Sequence, residues 1–431
     1  MSERDGWVAE ASRHITPERL RELIAGIVDV PSPTGFEAPL AEHLARTLTA
    51  AGVPAAAQPI DEHQANALGR LRGDGTGPDL MLYAPIDTLT TGDPEQDVPW
   101  IGPELRPDMR PEARHDGDFV TGLGASNPKG HAACVAMAAE AIARAGVPLT
   151  GDLVVAFGAG GMPTNALPAS TRRNTGQGVG CSFLLEQGGW TDFAVIAKPG
   201  WTVSWEEVGL AWFDIEVGGT HTYVGSRHRL PYANAIARAG EVAVRLERWF
   251  AEFAERHTGG TVSPQGVVSS IEGGWRRMAA TTPSACRMRA DLRLPPGFSP
   301  MAAKRELLAA LEEIGKELSV PDIRAELVLA IPGTRTPPDS WVARSAIAAW
   351  EEIAGRPHEV IRGNSGATDA NILRNRGIPT VRVGMPKVAH AAEDFSLGMN
   401  TVDVNEMVRL TRLLVRTAVD TTTRTRSEVG L

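Results

Sequence analysis

Two stretches, Leu153-Val154-Val155-Ala156 and Phe193-Ala194-Val195-Ile196-Ala197, most constrain how this chain folds. Neither alternates polar with apolar. A strand with no polar face is buried on both sides, which requires a parallel sheet between layers of helices. Pro78 to Ala84 and Thr380 to Gly384 read as further strands of the same kind. The helices that cover such a sheet are legible as well. Thr16-Pro17-Glu18 opens one, with Thr as cap and Pro in the first turn, running to about Val28. Ala38 to Ala51 forms a second, closed at Gly52, and the small apolar run from Ala132 to Ala145 a buried third. Shorter or later helices fall at Gly180–Gln187, Ser340–Ile353, up to Arg374, and Val404–Val419. The fold class is therefore α/β, a mostly parallel sheet flanked by helices. In such sheets ligands bind beyond the carboxyl ends of the strands, and Asp87, Gly160 and Lys198 all follow strand ends.

From about Gly209 the pattern changes. Leu210 to Val217 alternates like a half-buried strand, and a long amphipathic helix spans about Ala233 to His257. Strands at Val267–Ile271 and Cys286–Leu294, a helix at Met301–Leu318 and a strand at Ala325–Leu329 follow. The order β-α-β-β-α-β predicts an inserted ferredoxin-like α+β domain. The expected organisation is a first α/β part over 1–208, the insertion over 209–330, and a second α/β part over 331–431. Pro163 to Gly180 reads as a long loop, and Thr421 to Leu431 as a frayed polar tail.

The net charge of −9 argues against nucleic acid and anionic membrane surfaces as partners. The chain has no apolar run of transmembrane length, and its start, Met1-Ser2-Glu3-Arg4-Asp5, lacks the apolar core of a secretory signal. Cys134, Cys181 and Cys286 are few, odd in number and far apart, which fits reduced thiols in a cytoplasm. The expected partner is a small-molecule substrate.

Gly122-Leu123-Gly124-Ala125-Ser126-Asn127-Pro128-Lys129-Gly130-His131 precedes the buried helix and presents backbone N–H groups at its start. This segment resembles the G-R-G-A-x-D-x-K-G signature of the zinc-dependent aminoacylase, desuccinylase and glutamate-carboxypeptidase family, the peptidases with a dimerisation domain. Gly219-Thr220-His221-Thr222 with Asn234-Ala235, Ile271-Glu272-Gly273-Gly274, and Asp291-Leu292-Arg293 resemble motifs of that family's lid. The resemblance runs from about Asp29 to Val419 and implies a homodimer formed through the inserted lid. It also implies a two-zinc site, from which this chain departs. The His of the His-x-Asp motif falls on Pro85, while Asp87 remains. The bridging Asp falls on Asn127, the Glu-Glu pair on Gly160-Gly161, and the next carboxylate ligand on Lys198. His390 alone survives of the ligands. Pro and Gly offer no side-chain donor, Asn is a weak neutral ligand and Lys is ordinarily a cation. No zinc and no other cofactor is expected. His115-Asp116-Gly117-Asp118 also gathers donor types, but reads as a solvated turn.

The candidate catalytic set is Lys198, His390, Asp87, His221 and Asn127. Lys198 places a positive charge where a ligand stood, suited to polarising a carbonyl, acting as base or nucleophile, or pairing with Asp87 as a structural salt bridge. His390 suits a general acid or base, oriented by Glu393 or Asp394. The resemblance implies that His221 reaches the partner subunit's site as an oxyanion donor. It also implies that Asn234 and Arg293 contact a substrate carboxylate or help shape the lid, and that the loop carrying Ser365, Gly366 and Thr368 contacts substrate. Residue by residue, Asn234 also reads as a helix cap, Arg293 as a strand charge, and Thr368 or Ser365 as a cap of the next helix. Trp190, Trp201 and Trp205 flank Lys198 as pocket or as packing. Three functions compete: a metal-independent enzyme acting on an amide or related C–N bond of a small carboxylate-bearing molecule, a non-catalytic ligand-binding or regulatory homodimer, and a zinc peptidase with an altered ligand set, against which the count of lost ligands argues.

Overall fold

The computed structural model describes residues 2–166, 172, 174–388 and 398–431. It divides into two compact units. The first comprises Met1–Trp205, Thr336–Val360 and Thr368–Leu431, and the second Glu206–Arg335 with Ile361–Ala367.

The first unit is built on a six-stranded sheet. Its order is Ala55–Pro59, Ala65–Leu71, Leu153–Gly158, Leu80–Pro85, Phe193–Ala197 and Thr380–Val383. The last four strands are parallel, and the first two form an antiparallel edge hairpin. The all-apolar strands are buried throughout, as their lack of a polar face requires. The helix Lys129–Arg144 is buried from its first residue to Ile142. It packs against the helices Pro17–Val28 and Val404–Thr422. An apolar face all round fits a helix that has neighbours on every side.

Sequence patterning did not anticipate the helix Glu3–Arg13, opened by a capping box between Ser2 and Asp5. It also passed over the edge hairpin, whose Ala-rich strands carry weak β-propensity. The tail is a correction. The last helix continues to Thr422, Thr421 to Thr423 are buried, and Arg426 makes a two-pronged pair with Asp192 at 2.8 and 2.9 Å. Polar composition suggested fraying, but threonine hydroxyls return hydrogen bonds to their own helix, as Thr422 does to the Ala418 carbonyl at 2.8 Å. His115-Asp116-Gly117-Asp118 lies in a small hairpin, where His115 and Asp116 are paired strand residues and Gly117, at φ +57°, and Asp118 make the turn.

The second unit has a four-stranded antiparallel sheet in the order Gly266–Gly273, Ala285–Leu294, Gly209–Gly218 and Ile323–Ile331. The helices Ala235–His257 and Pro300–Leu318 pack on this sheet and on each other. On Ala285–Leu294, Cys286, Met288, Ala290, Leu292 and Leu294 are buried while the intervening residues face outward. Phe213, Leu246, Phe253 and Leu307 lie in the core between sheet and helices. Element order and strand order are those of a ferredoxin-like unit.

Candidate active site

At the carboxyl ends of the parallel strands of the first unit, the side chains of three anticipated residues lie within a short chain of contacts. Lys198 follows the strand Phe193–Ala197 and is only 5% exposed. Its Nζ donates to Asn127 Oδ1 at 3.2 Å and lies 3.5 Å from Met162 Sδ. Asn127 is held in place because its backbone N–H donates to the Met399 carbonyl at 3.0 Å. Asp87 follows the strand Leu80–Pro85 and is fully buried. Its Oδ1 accepts the Gly161 N–H at 2.7 Å, and its Oδ2 accepts the Met162 N–H at 3.0 Å and the Thr34 hydroxyl at 2.7 Å. Asp87 therefore positions Gly161-Met162, and Met162 in turn touches Lys198.

Gly160 and Gly161 are required by geometry as well as by sequence. Gly160 has φ +59°, and a Cβ there would lie 2.0 Å from the Thr175 carbonyl oxygen. A Cβ on Gly161 would meet Pro85 Cβ at 2.4 Å and Asp369 Oδ2 at 2.8 Å. A side chain at Gly160 would require the backbone to move, and one at Gly161 would require Pro85 and Asp369 to shift.

Glu37 belongs to this corner, although sequence reasoning missed it. It is fully buried, and its Oε1 accepts the Gly160 N–H at 2.9 Å and the Gly35 N–H at 3.0 Å. Gln64 Nε2 reaches its Oε2 at 3.1 Å. Burial, followed by the neighbouring Asp87 charge, pushes the Glu37 carboxyl up to about 8. Burial also raises Asp87, while the Thr34 hydrogen bond and the Lys198 charge act to lower it. The available sequence signal was a carboxylate just after the Pro31-Ser32-Pro33-Thr34-Gly35 turn, at the start of the helix Ala38–Ala50, whose buried residues are apolar.

Three further buried polar groups frame the site. Tyr83 donates to Asp369 Oδ2 at 2.6 Å. His131 hydrogen-bonds the Ser126 carbonyl through Nδ1 at 2.7 Å and accepts the Met385 N–H at Nε2, 3.2 Å away. Burial drives its pKa down to about 3, so the ring is neutral and serves as a clamp. Lys129 is also buried and donates to the Val30 carbonyl at 2.8 Å and the Val28 carbonyl at 3.3 Å. Burial lowers its pKa to about 7.

His390, with Glu393 and Asp394, lies outside the described residues. Among the described residues no group of three or more His, Cys, Asp or Glu is placed to hold a metal ion. The three tryptophans are largely accounted for by local contacts. Trp190 Nε1 donates to the Leu185 carbonyl at 2.8 Å, Trp201 lies against Trp350 at 5.8 Å, and Trp205 against His358 at 6.3 Å between ring centroids.

The remaining candidates divide between the units. His221, in the second unit, is exposed, with Nδ1 2.8 Å from the Thr282 carbonyl. Asn234 caps the helix Ala235–His257 by accepting the Ile236 N–H at 3.0 Å. Arg293 is a two-pronged partner of Asp291 at 2.7 and 3.1 Å. Ser365 donates to the Ser263 carbonyl at 2.5 Å, and Gly366 N–H to Asn364 Oδ1 at 3.0 Å. Ser365 and Gly366 belong to the second unit, whereas Thr368 belongs to the first, where its hydroxyl accepts the Ala370 N–H at 3.2 Å.

The model of Peptidase family M20/M25/M40 matches residues 81–420. The chain belongs to that family. Among solved structures it is similar to human carnosine dipeptidase 1, at 13% identity and TM-score 0.70, over 98% of this chain and 100% of that one. It is similar to aminopeptidase PepT from Bacillus cereus, at 18% identity and TM-score 0.65, over 95% and 99%. A hydantoinase/carbamoylase family amidase from Burkholderia ambifaria matches at 18% identity and TM-score 0.58, over 96% and 99%. At these identities the likeness is one of fold. Among the described residues no helix is long and apolar enough to cross a membrane.

Proposed function

We propose that this member of the M20/M25/M40 family is a metal-independent enzyme that cleaves an amide or related C–N bond in a small carboxylate-bearing molecule. Within the family we place it with the aminoacylase, desuccinylase and glutamate-carboxypeptidase branch, on the strength of the Gly122–His131 segment. The observation that carries the reading is the Lys198 ammonium 3.2 Å from Asn127 Oδ1, at two positions where that branch places zinc ligands. The donor set does not fit a pair of zinc ions. Both Asp87 oxygens accept hydrogen bonds, from the Gly161 and Met162 N–H groups and the Thr34 hydroxyl, Gly160 and Gly161 leave no room for a ligand side chain, and a cation stands in the corner.

In this proposal Lys198 faces the substrate carbonyl and stabilises the oxyanion that forms when water adds to the carbonyl carbon. The C–N bond then breaks, and the departing nitrogen takes up the proton that water released, carried by His390. Asp87 and Glu37 act indirectly, by holding the Gly160–Met162 turn against Lys198. The protein works as a homodimer through the second unit, with His221 as a donor toward the partner subunit's site. A cytoplasmic location goes with its three free, buried cysteines.

A second reading has a specific support. Asp87 and Glu37 are saturated by hydrogen bonds from the surrounding turn, so neither is poised as a base. That favours a non-catalytic ligand-binding homodimer. The test is a panel of N-acyl amino acids, dipeptides and N-carbamoyl amino acids, assayed with the wild type and Lys198→Met after chelator treatment. Turnover that survives chelation and falls with Lys198→Met supports the enzyme. Thermal stabilisation by a panel member without turnover supports the binding protein.

A further inference from the structure

The helix Trp341–Ala354 ends at Gly355, which has φ +67°, and the chain turns back so that the His358 N–H donates to Glu351 Oε1 at 2.9 Å. This sets the half-buried His358 ring against the segment that follows Lys198. Val203 N–H donates to His358 Nε2 at 3.0 Å. The Thr202 hydroxyl lies 3.0 Å from the same nitrogen and 3.2 Å from the Glu359 carbonyl. The rings of Trp350 and Trp205 flank the imidazole, with centroids 5.1 and 6.3 Å away. All of these residues belong to the first unit. The rest of the turn is tied to the last strand of the sheet and the residues after it. Lys198 N–H donates to the Val383 carbonyl at 3.1 Å, Gly200 N–H to the Met385 carbonyl at 2.9 Å and Ser204 N–H to the Arg382 carbonyl at 2.8 Å. His358 supplies the anchor between Gly200 and Ser204.

The contact fixes the protonation state of the ring. A backbone N–H only donates, so Nε2 accepts and the imidazole is neutral, with its proton on Nδ1. A second proton, at Nε2, would set two donors face to face across 3.0 Å. Val203 is buried, so its N–H would then be left unpaired inside the protein. Burial, the largest influence on the imidazole, holds it below its ordinary value of 6.5. The Glu351 carboxylate acts to raise it and the Arg356 guanidinium to lower it further. Glu359, the next residue, pairs with Arg356 at 3.7 Å. Arg409, on the last helix, lies over the Trp201 ring at 4.5 Å and pairs with Glu406 at 2.7 Å.

We propose that His358 is a positioning residue that holds the turn after Lys198 closed only while its imidazole is neutral, so that acid releases the turn. Above pH 6.5 the neutral ring accepts the Val203 N–H and the turn is closed. As the pH falls below 6.5, a ring freed from the turn takes up a proton that the closed turn excludes, and the open form gains population. At pH 5 that gain is up to about thirtyfold, the limit set by a free imidazole of ordinary basicity. Lys198 stands at the first residue of this turn, so turnover acquires an acid limb that belongs to neither Lys198 nor His390. That last consequence rests on the proposed function, whereas the opening of the turn does not.

The test is hydrogen–deuterium exchange of the full-length protein, read by mass spectrometry on the peptide from Lys198 to Trp205 at pH 7.5 and pH 5. Each variant is compared with the wild type at the same pH, so that intrinsic exchange cancels. His358→Gln offers an amide oxygen at about the reach of Nε2 and does not titrate, whereas His358→Leu removes the acceptor. The wild type is expected to match His358→Gln at pH 7.5 and to exchange about tenfold or more faster than it at pH 5. His358→Leu is expected to exchange fast at both. The strand Leu153–Gly158 serves as internal reference and is expected to stay protected throughout. If His358→Leu does not fold, the wild type and His358→Gln decide the matter between them. A wild type that tracks His358→Gln at both pH values overturns the proposal. So does His358→Gln exchanging as fast as His358→Leu at pH 7.5, since the ring would then act by packing alone, and so does loss of protection in the reference strand at pH 5. None of these readings requires turnover, so a failure here is distinct from a failure of the enzyme reading.

Discussion

Glu37→Gln isolates the cost of burying a carboxyl beside Asp87. The Glu37 carboxyl stands near 8 in the folded protein against an ordinary value of 4.5, mainly through burial and then through the Asp87 charge. A carboxyl raised in the native state favours folding of the protonated form. The native state is therefore at no disadvantage below pH 4.5, loses stability as pH rises through the interval to 8, and carries the full penalty above it. Each unit of separation corresponds to about 1.4 kcal/mol, so the penalty is about 3 kcal/mol at pH 7 and roughly 4–5 kcal/mol well above 8. The amide of Glu37→Gln does not titrate. It keeps an oxygen for the Gly35 and Gly160 N–H groups but turns an N–H toward Gln64, at a cost of about 1–3 kcal/mol independent of pH. The assay is urea unfolding of both proteins at pH 5, 7 and 8.5. The variant is expected to be the less stable at pH 5 and to gain on the wild type by about 4 kcal/mol by pH 8.5. A stability difference that stays flat with pH, or moves in the wild type's favour, would refute a protonated Glu37 and the crowded carboxylate pair behind it.

Gly161→Ala is expected to lose about 1–3 kcal/mol in thermal or urea unfolding, since its Cβ would press on Pro85 and Asp369. Once a substrate is found, Lys198→Met is expected to lower kcat about 10²–10³-fold with unfolding unchanged, and a wild-type rate would place the chemistry elsewhere. His390→Ala is expected to lower kcat comparably, with a shifted pH–rate profile in any residual activity. Elemental analysis of the purified protein is expected to find zinc well below one atom per chain, and activity lost to chelators and restored by zinc would count decisively against this. Light scattering at micromolar concentration is expected to give twice the chain mass, and a monomer would remove the role proposed for His221.

The all-apolar strands, the buried helix from Lys129 and the β-α-β-β-α-β order were legible in the sequence because periodicity reports which faces are covered. The same information located Asp87 and Lys198, since residues at strand ends fall where parallel sheets bind ligands. Departures such as Pro85, Asn127 and Lys198 were visible too, because they are matters of residue identity. What periodicity does not report is which polar groups meet. Glu37 stands more than a hundred residues from Gly160, and nothing local announces that its carboxyl oxygen accepts that N–H. The sequence left Lys198 open to an Asp87 salt bridge or a catalytic role, and the fold brought its ammonium to Asn127 and Met162. Asn234 read equally as cap or ligand contact, and only the helix geometry shows it accepting the Ile236 N–H. Local pattern determined the elements and the layer each belongs to. Long-range packing decided the partners of each buried charge, because desolvation and hydrogen bonding depend on neighbours that the chain brings together only when folded.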